Sequence, residues 1–153
     1  MIKEIAIDDL EQALSLVNRV FAEFVAVDYG EQGRNTFTAY LKNKYEEAAT
    51  GLNTGHKKLW GYYKNNSIVG VIGTRDTTHI SLMFVDKKYH KQGIAKELFN
   101  NLLSELSENR EVEQITVNSS PYAVGVYEHL GFVKTDAQQE KDGIIYVPMS
   151  RLL

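Results

Sequence analysis

Residues 85–99 read VDKKYHKQGIAKELF, and the fold turns on them. A strand-like apolar run ends at Val85. Lys87, Lys88, His90 and Lys91 follow, then Gly93, then a helical pattern. No carboxylate stands between Asp86 and Glu97. The first amides of a helix have no intrahelical partner and together carry roughly half a positive charge. Most helices quench that charge with Asp or Glu in the first turn. Here the turn entering the helix supplies Lys and His instead. Gly93 has no Cβ, so an anion can approach the backbone closely. The stretch reads either as a phosphate cradle or as a lysine-rich loop that keeps the surface solvated.

The flanking patterns set the context of that loop. Upstream, HISLMFV (79–85) alternates with Ile80, Leu82 and Phe84 on one face and His79, Ser81, Met83 and Val85 on the other. Both faces are largely apolar, as in a central strand covered on each side by helices. Downstream, Ile94, Leu98, Leu102 and Leu106 recur at a spacing of four, the signature of a buried helical stripe. QITVN (114–118) reads as the next strand. A strand–helix–strand order favours a right-handed crossover, with QITVN parallel to HISLMFV.

Further from the loop, residues 2–7 read as a short strand. Asp8 and Glu11 offer a capping box, and Leu10, Ala13, Leu14, Val17, Val20, Phe21 and Phe24 form a helical stripe behind it. After the DYGEQG break, Phe37, Tyr40, Leu41, Tyr45 and Ala48 mark a second helix. TGLNTGHK (50–57) reads as a loop. KLWGYYK and IVGVIGTR are strands joined by an NNS turn, and DTT leads into HISLMFV. Ser120-Pro121 opens a last helix, a hydroxyl cap with proline at the first helical position. That helix stops at Gly131. FVKT and IIYVPM then form a terminal hairpin across DAQQEKDG.

The totals narrow the class. A chain of 153 residues with 43% hydrophobic and 24% charged residues suits one soluble domain, expected to span 1–153. A net charge of -3 gives no global attraction for nucleic acid, so any anion site is local. The absence of cysteine removes disulfides, thiolate metal sites and a cysteine nucleophile. The four histidines show no metal-ligand spacing, so no metal is expected. Early charge in MIKEIAIDDLEQ argues against a signal peptide, and no apolar run approaches the ~20 residues of a membrane span. A cytoplasmic protein is expected. The spacing fits neither a Walker loop nor a dinucleotide fingerprint.

VDKKYHKQGIAKELF resembles the acetyl-CoA pyrophosphate loop of the GNAT superfamily of N-acetyltransferases. That loop has Arg or Gln, two residues, Gly, one residue, then Gly or Ala; His90, Gly93 and Ala95 take those places. His90 departs from the commonest residue. VNSSPYAVGVYEHLGF resembles the family's later motif through Asn118, Tyr127 and Gly131-Phe132. The order of elements also matches over nearly the whole chain. The resemblance implies an α/β (α+β) fold: a mixed, mostly antiparallel sheet of about seven strands, flanked by about four helices, with a splayed parallel pair at the coenzyme A site.

It further implies acetyl transfer from acetyl-CoA, as co-substrate, to a primary amine. Met83, Phe84 and Val85 would edge the pantetheine arm, and Asn118 would bond that arm or a water. His90, Lys91, Gln92, Gly93, Ile94 and Ala95 would meet the pyrophosphate. A backbone amide near Phe84 or Val85 would polarise the carbonyl, and Tyr127 would protonate the leaving thiolate; its alternative role is a core aromatic. His79 is a candidate base, directly or through water. His129, two residues beyond Tyr127, is expected to point elsewhere. Asp28, Tyr29 and Glu31 are candidates for attracting a cationic amine, and Glu46 for approaching the acceptor entrance. A small-molecule or peptide amine is the expected partner, with neither nucleic acid nor membrane, and a homodimer stays open. The rival reading is a non-catalytic acyl-CoA-binding regulatory module.

Overall fold

A computed structural model describes residues 1–51 and 58–153, with side chains described outside 44–51. Of the loop expected at 50–57, Thr50 and Gly51 instead end the second helix, and residues 52–57, like the side chains of Tyr45, Glu46 and Ala48, lie outside the described residues. The elements run β1 (Ile2–Glu4), α1 (Leu10–Val20), α2 (Glu31–Gly51), β2 (Lys58–Lys64), β3 (Ser67–Arg75), β4 (His79–Val85), α3 (Ile94–Ser107), β5 (Gln114–Ser119), α4 (Val124–His129), β6 (Val133–Lys134), β7 (Gln139–Lys141) and β8 (Ile144–Leu152).

The sheet is mixed and mostly antiparallel, in the order β1-β2-β3-β4-β5-β8-β6, with β7 also on β8. Its one parallel pair among the described residues is β4 with β5. The hairpins follow their turn chemistry. Asn65 and Asn66 both take positive φ, 51° and 63°, between paired Lys64 and Ser67. Two positive φ values match the right-handed twist of the flanking strands, and asparagine tolerates them best after glycine.

One apolar cluster lies on each face of the sheet. Under α3 and α4 pack Ile72, Ile94, Leu98, Phe99, Leu102 and Ile115. Under α1 and α2 pack Ile5, Leu10, Val17, Leu59, Val71 and Leu82. The stripe at a spacing of four along α3 is thus the core face it promised, each fully buried leucine worth about 1.5–3 kcal/mol. β3 is buried along nearly its whole length, as a doubly covered strand must be.

Four departures from the sequence pattern are informative. First, Ile80 packs under α3 with Met83 and Val85, while Leu82 and Phe84 pack on the α1 side. The expected shared face of Ile80, Leu82 and Phe84 is broken by a β-bulge: Gly73 opposes Leu82, yet Thr74 opposes Ile80, so Ser81 is the added residue. One added residue reverses every side chain beyond it. Second, Asp8 and Glu11 form no capping box. A 3-10 turn over Ile7–Asp9 leads into α1, neither Ala6 nor Asp9 caps through its side chain, and Asp9 accepts the Tyr63 hydroxyl at 2.9 Å instead. Third, DAQQEKDG is not all loop. Its QEK forms β7 against β8, closed by Asp142 and Gly143, both at positive φ. Eight strands result rather than about seven. Fourth, the first strand stops at Glu4 rather than at residue 7.

Candidate functional site

The bulge at Ser81 governs the site. β4 and β5 pair only at His79–Thr116 and Ile80–Val117. Beyond them β4 stays on β3 to Val85, while β5 stays on β8 to Ser119. A bulge bends its strand, and here the bend coincides with the loss of pairing. The two strands part like a V, and the β5-side edge of β4 from Met83 onward has no strand partner among the described residues. The Asp86 N–H bonds the Val69 carbonyl on the β3 side. Strand alternation therefore turns the Val85 and Met83 amides into the gap and the Phe84 amide toward β3.

The loop after β4 is tightly braced. Asp86 caps a 3-10 turn over Lys87–Tyr89, accepting the Lys88 amide at 3.0 Å. Burial opposes ionisation of Asp86, but the Lys88 amide and the Arg19 guanidinium together hold its carboxyl below the usual range. Arg19 meets Asp86 at 2.7 Å and Glu23 meets Lys87 at 2.9 Å, so the end of α1 and the helical turn that follows it, Phe21–Val25, are tied to this loop. His90 donates from Nε2 to the Val85 carbonyl at 2.7 Å, and its ring lies 5.1 Å from that of Phe24.

α3 begins without a capping side chain. Its N-cap is Gly93 at φ 79°, ψ 10°, a left-handed conformation that costs other residues about 1–2 kcal/mol. Lys91 also takes positive φ, 62°. The first amides of α3 are left for solvent or an anion.

The helix carrying Tyr127 ends in a Schellman motif. The Phe132 amide bonds the Tyr127 carbonyl and the Gly131 amide bonds the Glu128 carbonyl, each at 3.0 Å. Gly131, at φ 95°, supplies the left-handed residue this closure needs. The Tyr127 side chain is buried, which pushes its phenol well above the usual range. Burial is the only cause of that shift; no neighbouring charge adds to it.

A cleft of about 920 Å3 unites these parts. Met83, Phe84, Val85, His90, Lys91, Gly93, Ile94, Ala95, Asn118 and Tyr127 all line it. Gln92 does not; its side chain is exposed and reaches Lys64 and the Lys88 carbonyl. His79 does not either. It sits at the closed end of the V, about 20 Å along β4 from Val85 by strand rise, and shares a 2.8 Å hydrogen bond with the Thr116 hydroxyl. Burial and the nearby Arg75 push its imidazole down to about 4, against the opposing Asp76. His129 also borders the cleft, but it is exposed where Tyr127 is buried, as residues two apart on a helix are expected to differ. Of Asp28, Tyr29 and Glu31, only Tyr29 reaches the lining.

Sequence reasoning missed the far wall. Phe21, Phe37, Tyr40 and Ile144 line the cleft beyond the loop, while Phe24, beside His90, and Tyr122, 5.2 Å from Phe24, line it on the loop side. Phe24 had been read only as helical stripe, and Tyr122 carried no signal. The β7–β8 turn docks on this wall's outer side, where Thr36 donates to the Asp142 carbonyl at 2.7 Å and Gly143 meets Gly33 backbone to backbone. The described residues contain no cluster of metal-ligating side chains, and no helix among them is long and apolar enough to cross a membrane.

Comparison with known proteins fits this geometry. Residues 25–153 match the family model described as an acetyltransferase (GNAT) domain. A curated relative, the UPF0157 protein YqkA of Bacillus subtilis, is 23% identical over 103 residues; the match covers 65% of this chain and 30% of that protein. The chain thus spans under a third of that relative's length. Among solved structures, a GCN5-related N-acetyltransferase from Rhodopseudomonas palustris superposes with a TM-score of 0.82 at 16% identity, covering 100% of this chain and 95% of the other. The PaiA N-acetyltransferase of Thermoplasma acidophilum, solved with coenzyme A, gives 0.74 at 14% identity, covering 100% and 98%. At such identities the structural likeness speaks for the fold.

Proposed function

Because the chain belongs to the acetyltransferase (GNAT) domain family, we propose that it moves the acetyl group of acetyl-CoA to a primary amine, with Tyr127 as general acid. The observation that carries this reading is the parted β4–β5 edge. It leads from uncapped helix amides to the buried Tyr127 phenol. Buried backbone amides require partners, and the amide-rich pantetheine arm supplies them.

The residues fit the co-substrate along its length. Lys91 and the amides of Gly93, Ile94 and Ala95 hold the diphosphate. Met83, Val85 and the exposed Asn118 hold the arm. Acetyl-CoA brings a thioester carbonyl and a thiolate leaving group; the chain does the rest. An amide on the β4 edge polarises a carbonyl lying in the gap. The Tyr127 phenol, kept protonated by burial, donates to the departing sulfur. No Asp or Glu lines the cleft among the described residues, so the amine's proton leaves through water rather than to a carboxylate. His90 acts at one remove, holding the loop to the end of β4.

The test is thiol release with a panel of amines, run beside calorimetry with acetyl-CoA. Turnover together with binding supports the enzyme. Binding without turnover on any amine returns the non-catalytic module.

A further inference from the structure

The half of the cleft away from the loop is built of rings. Phe21 and Phe37 stack at 3.8 Å with planes 10° apart, and Tyr29 meets Phe21 edge-on at 5.4 Å. Phe84, on the β4 side, tilts against Phe37 at 6.3 Å. The wall is preformed rather than adaptable. The Tyr29 hydroxyl donates to the Ile145 carbonyl at 3.0 Å, and Arg34 donates to the Tyr29 carbonyl at 3.2 Å. The charges lie elsewhere. Lys91, Lys96 and the two imidazoles of His90 and His129 lie on the loop, α3 and α4 side, and no Asp or Glu lines the cleft among the described residues. Asp28 and Glu31 are exposed outside it.

We infer that the acceptor is a small monoamine carrying an aromatic ring, an inference that rests on the acetyl-transfer reading. An aromatic acceptor continues the edge and face contacts that the wall already makes within itself. Its single ammonium can rest against a ring face before it loses its proton. A polyamine or an aminoglycoside brings several ammonium groups into a space without one counter-charge, where each must give up hydration unpaired. Only about one part in a thousand of an alkylamine with pKa near ~10 is neutral at pH 7. A wall that holds the ring raises the local concentration of the amine, and with it the amount of its neutral fraction, beside the thioester.

The test is competitive binding to the protein saturated with coenzyme A, followed by calorimetry with 2-phenylethylamine, n-hexylamine, spermidine and kanamycin. The expected result is 2-phenylethylamine binding at least about tenfold tighter than each of the others. Phe37→Leu should abolish that preference while coenzyme A affinity persists. Equal or tighter binding of hexylamine, spermidine or kanamycin to the wild-type protein overturns the inference, and that ranking needs no variant. A preference unchanged in Phe37→Leu overturns it as well. Thiol release in parallel samples reads the acetyl-transfer proposal separately: turnover without the ranking rejects the acceptor class alone, and the ranking without turnover rejects the transfer.

Discussion

The Tyr127 and Phe132 rings meet edge to face, centroids 5.4 Å apart and planes at 72°. They are the third-last residue of the α4 terminus and the second residue past its cap, the two positions that touch in a Schellman closure. The spacing of tyrosine and Gly-Phe in VYEHLGF is therefore a positioning device. The turn that ends the helix also fixes the phenol in the cleft.

Removing only the phenol oxygen should separate chemistry from packing. Tyr127→Phe keeps the ring contact with Phe132 and removes only the hydroxyl. Turnover at saturating substrate should fall about a hundredfold or more, the usual contribution of a placed acid. Acetyl-CoA affinity by calorimetry and the thermal midpoint should hardly move. Parallel loss of affinity and turnover would assign Tyr127 to packing.

The closure itself is testable through two glycines of one helix region. Gly131→Ala places a Cβ at φ 95° and within 2.8 Å of Arg151 Nε. A cost of about 1–2 kcal/mol from the conformation alone should lower the midpoint by roughly 2–8 °C. Gly125→Ala meets nothing within 4 Å in the same helix, and should stabilise by up to about 1 kcal/mol. Thermal melts of both variants check the contrast; equal behaviour would refute it.

These local devices explain what was legible. Helix ends and hairpin turns are written in residues that act on their own backbone: Ser120-Pro121, Gly131, the NN turn. The uncapped entry into α3 was legible for the same reason, since His90, Lys91, Gly93 and Ala95 are neighbours in sequence. The bulge at Ser81 was not, because HISLMFV is apolar on both faces and no alternation signals a skipped residue. QEK in β7 was illegible because its three polar residues rely on β8 for their pairing. The aromatic wall was hidden because Phe21, Phe37 and Phe84 come from three elements that meet only in the folded chain. His79 has the right intrinsic chemistry for a base, but a strand end says nothing about which end of the V it occupies.

His79 should instead appear in the pH dependence of stability. Folding lowers its pKa from the usual 6.5 to about 4. Between those values the unfolded imidazole binds more protons than the folded one, so stability rises with pH there. The contribution is complete above about pH 6.5 and is lost as pH falls toward about 4. After solvent screening it is on the order of 2 kcal/mol. Denaturant melts at pH 4.5 and pH 7 should show this loss in the wild type and a flatter response in His79→Gln. An unchanged slope in the variant would contradict the assignment.

His90 should matter to binding more than to chemistry. His90→Ala removes the bond to the Val85 carbonyl and the contact with Phe24, loosening the loop on the end of β4. Loss of about 1 kcal/mol of hydrogen bonding should weaken acetyl-CoA binding about fivefold to tenfold, with turnover at saturation little changed. Calorimetry and saturation kinetics on the same preparation read both. A fall in saturated turnover at unchanged affinity would place His90 in the chemistry instead.

The most direct measurement is a crystal structure of the protein with acetyl-CoA. Diphosphate oxygens should lie on the amides of Gly93, Ile94 and Ala95, with the arm running along Met83 and Val85 toward Tyr127. A diphosphate bound elsewhere, with those amides facing only water, would contradict the account.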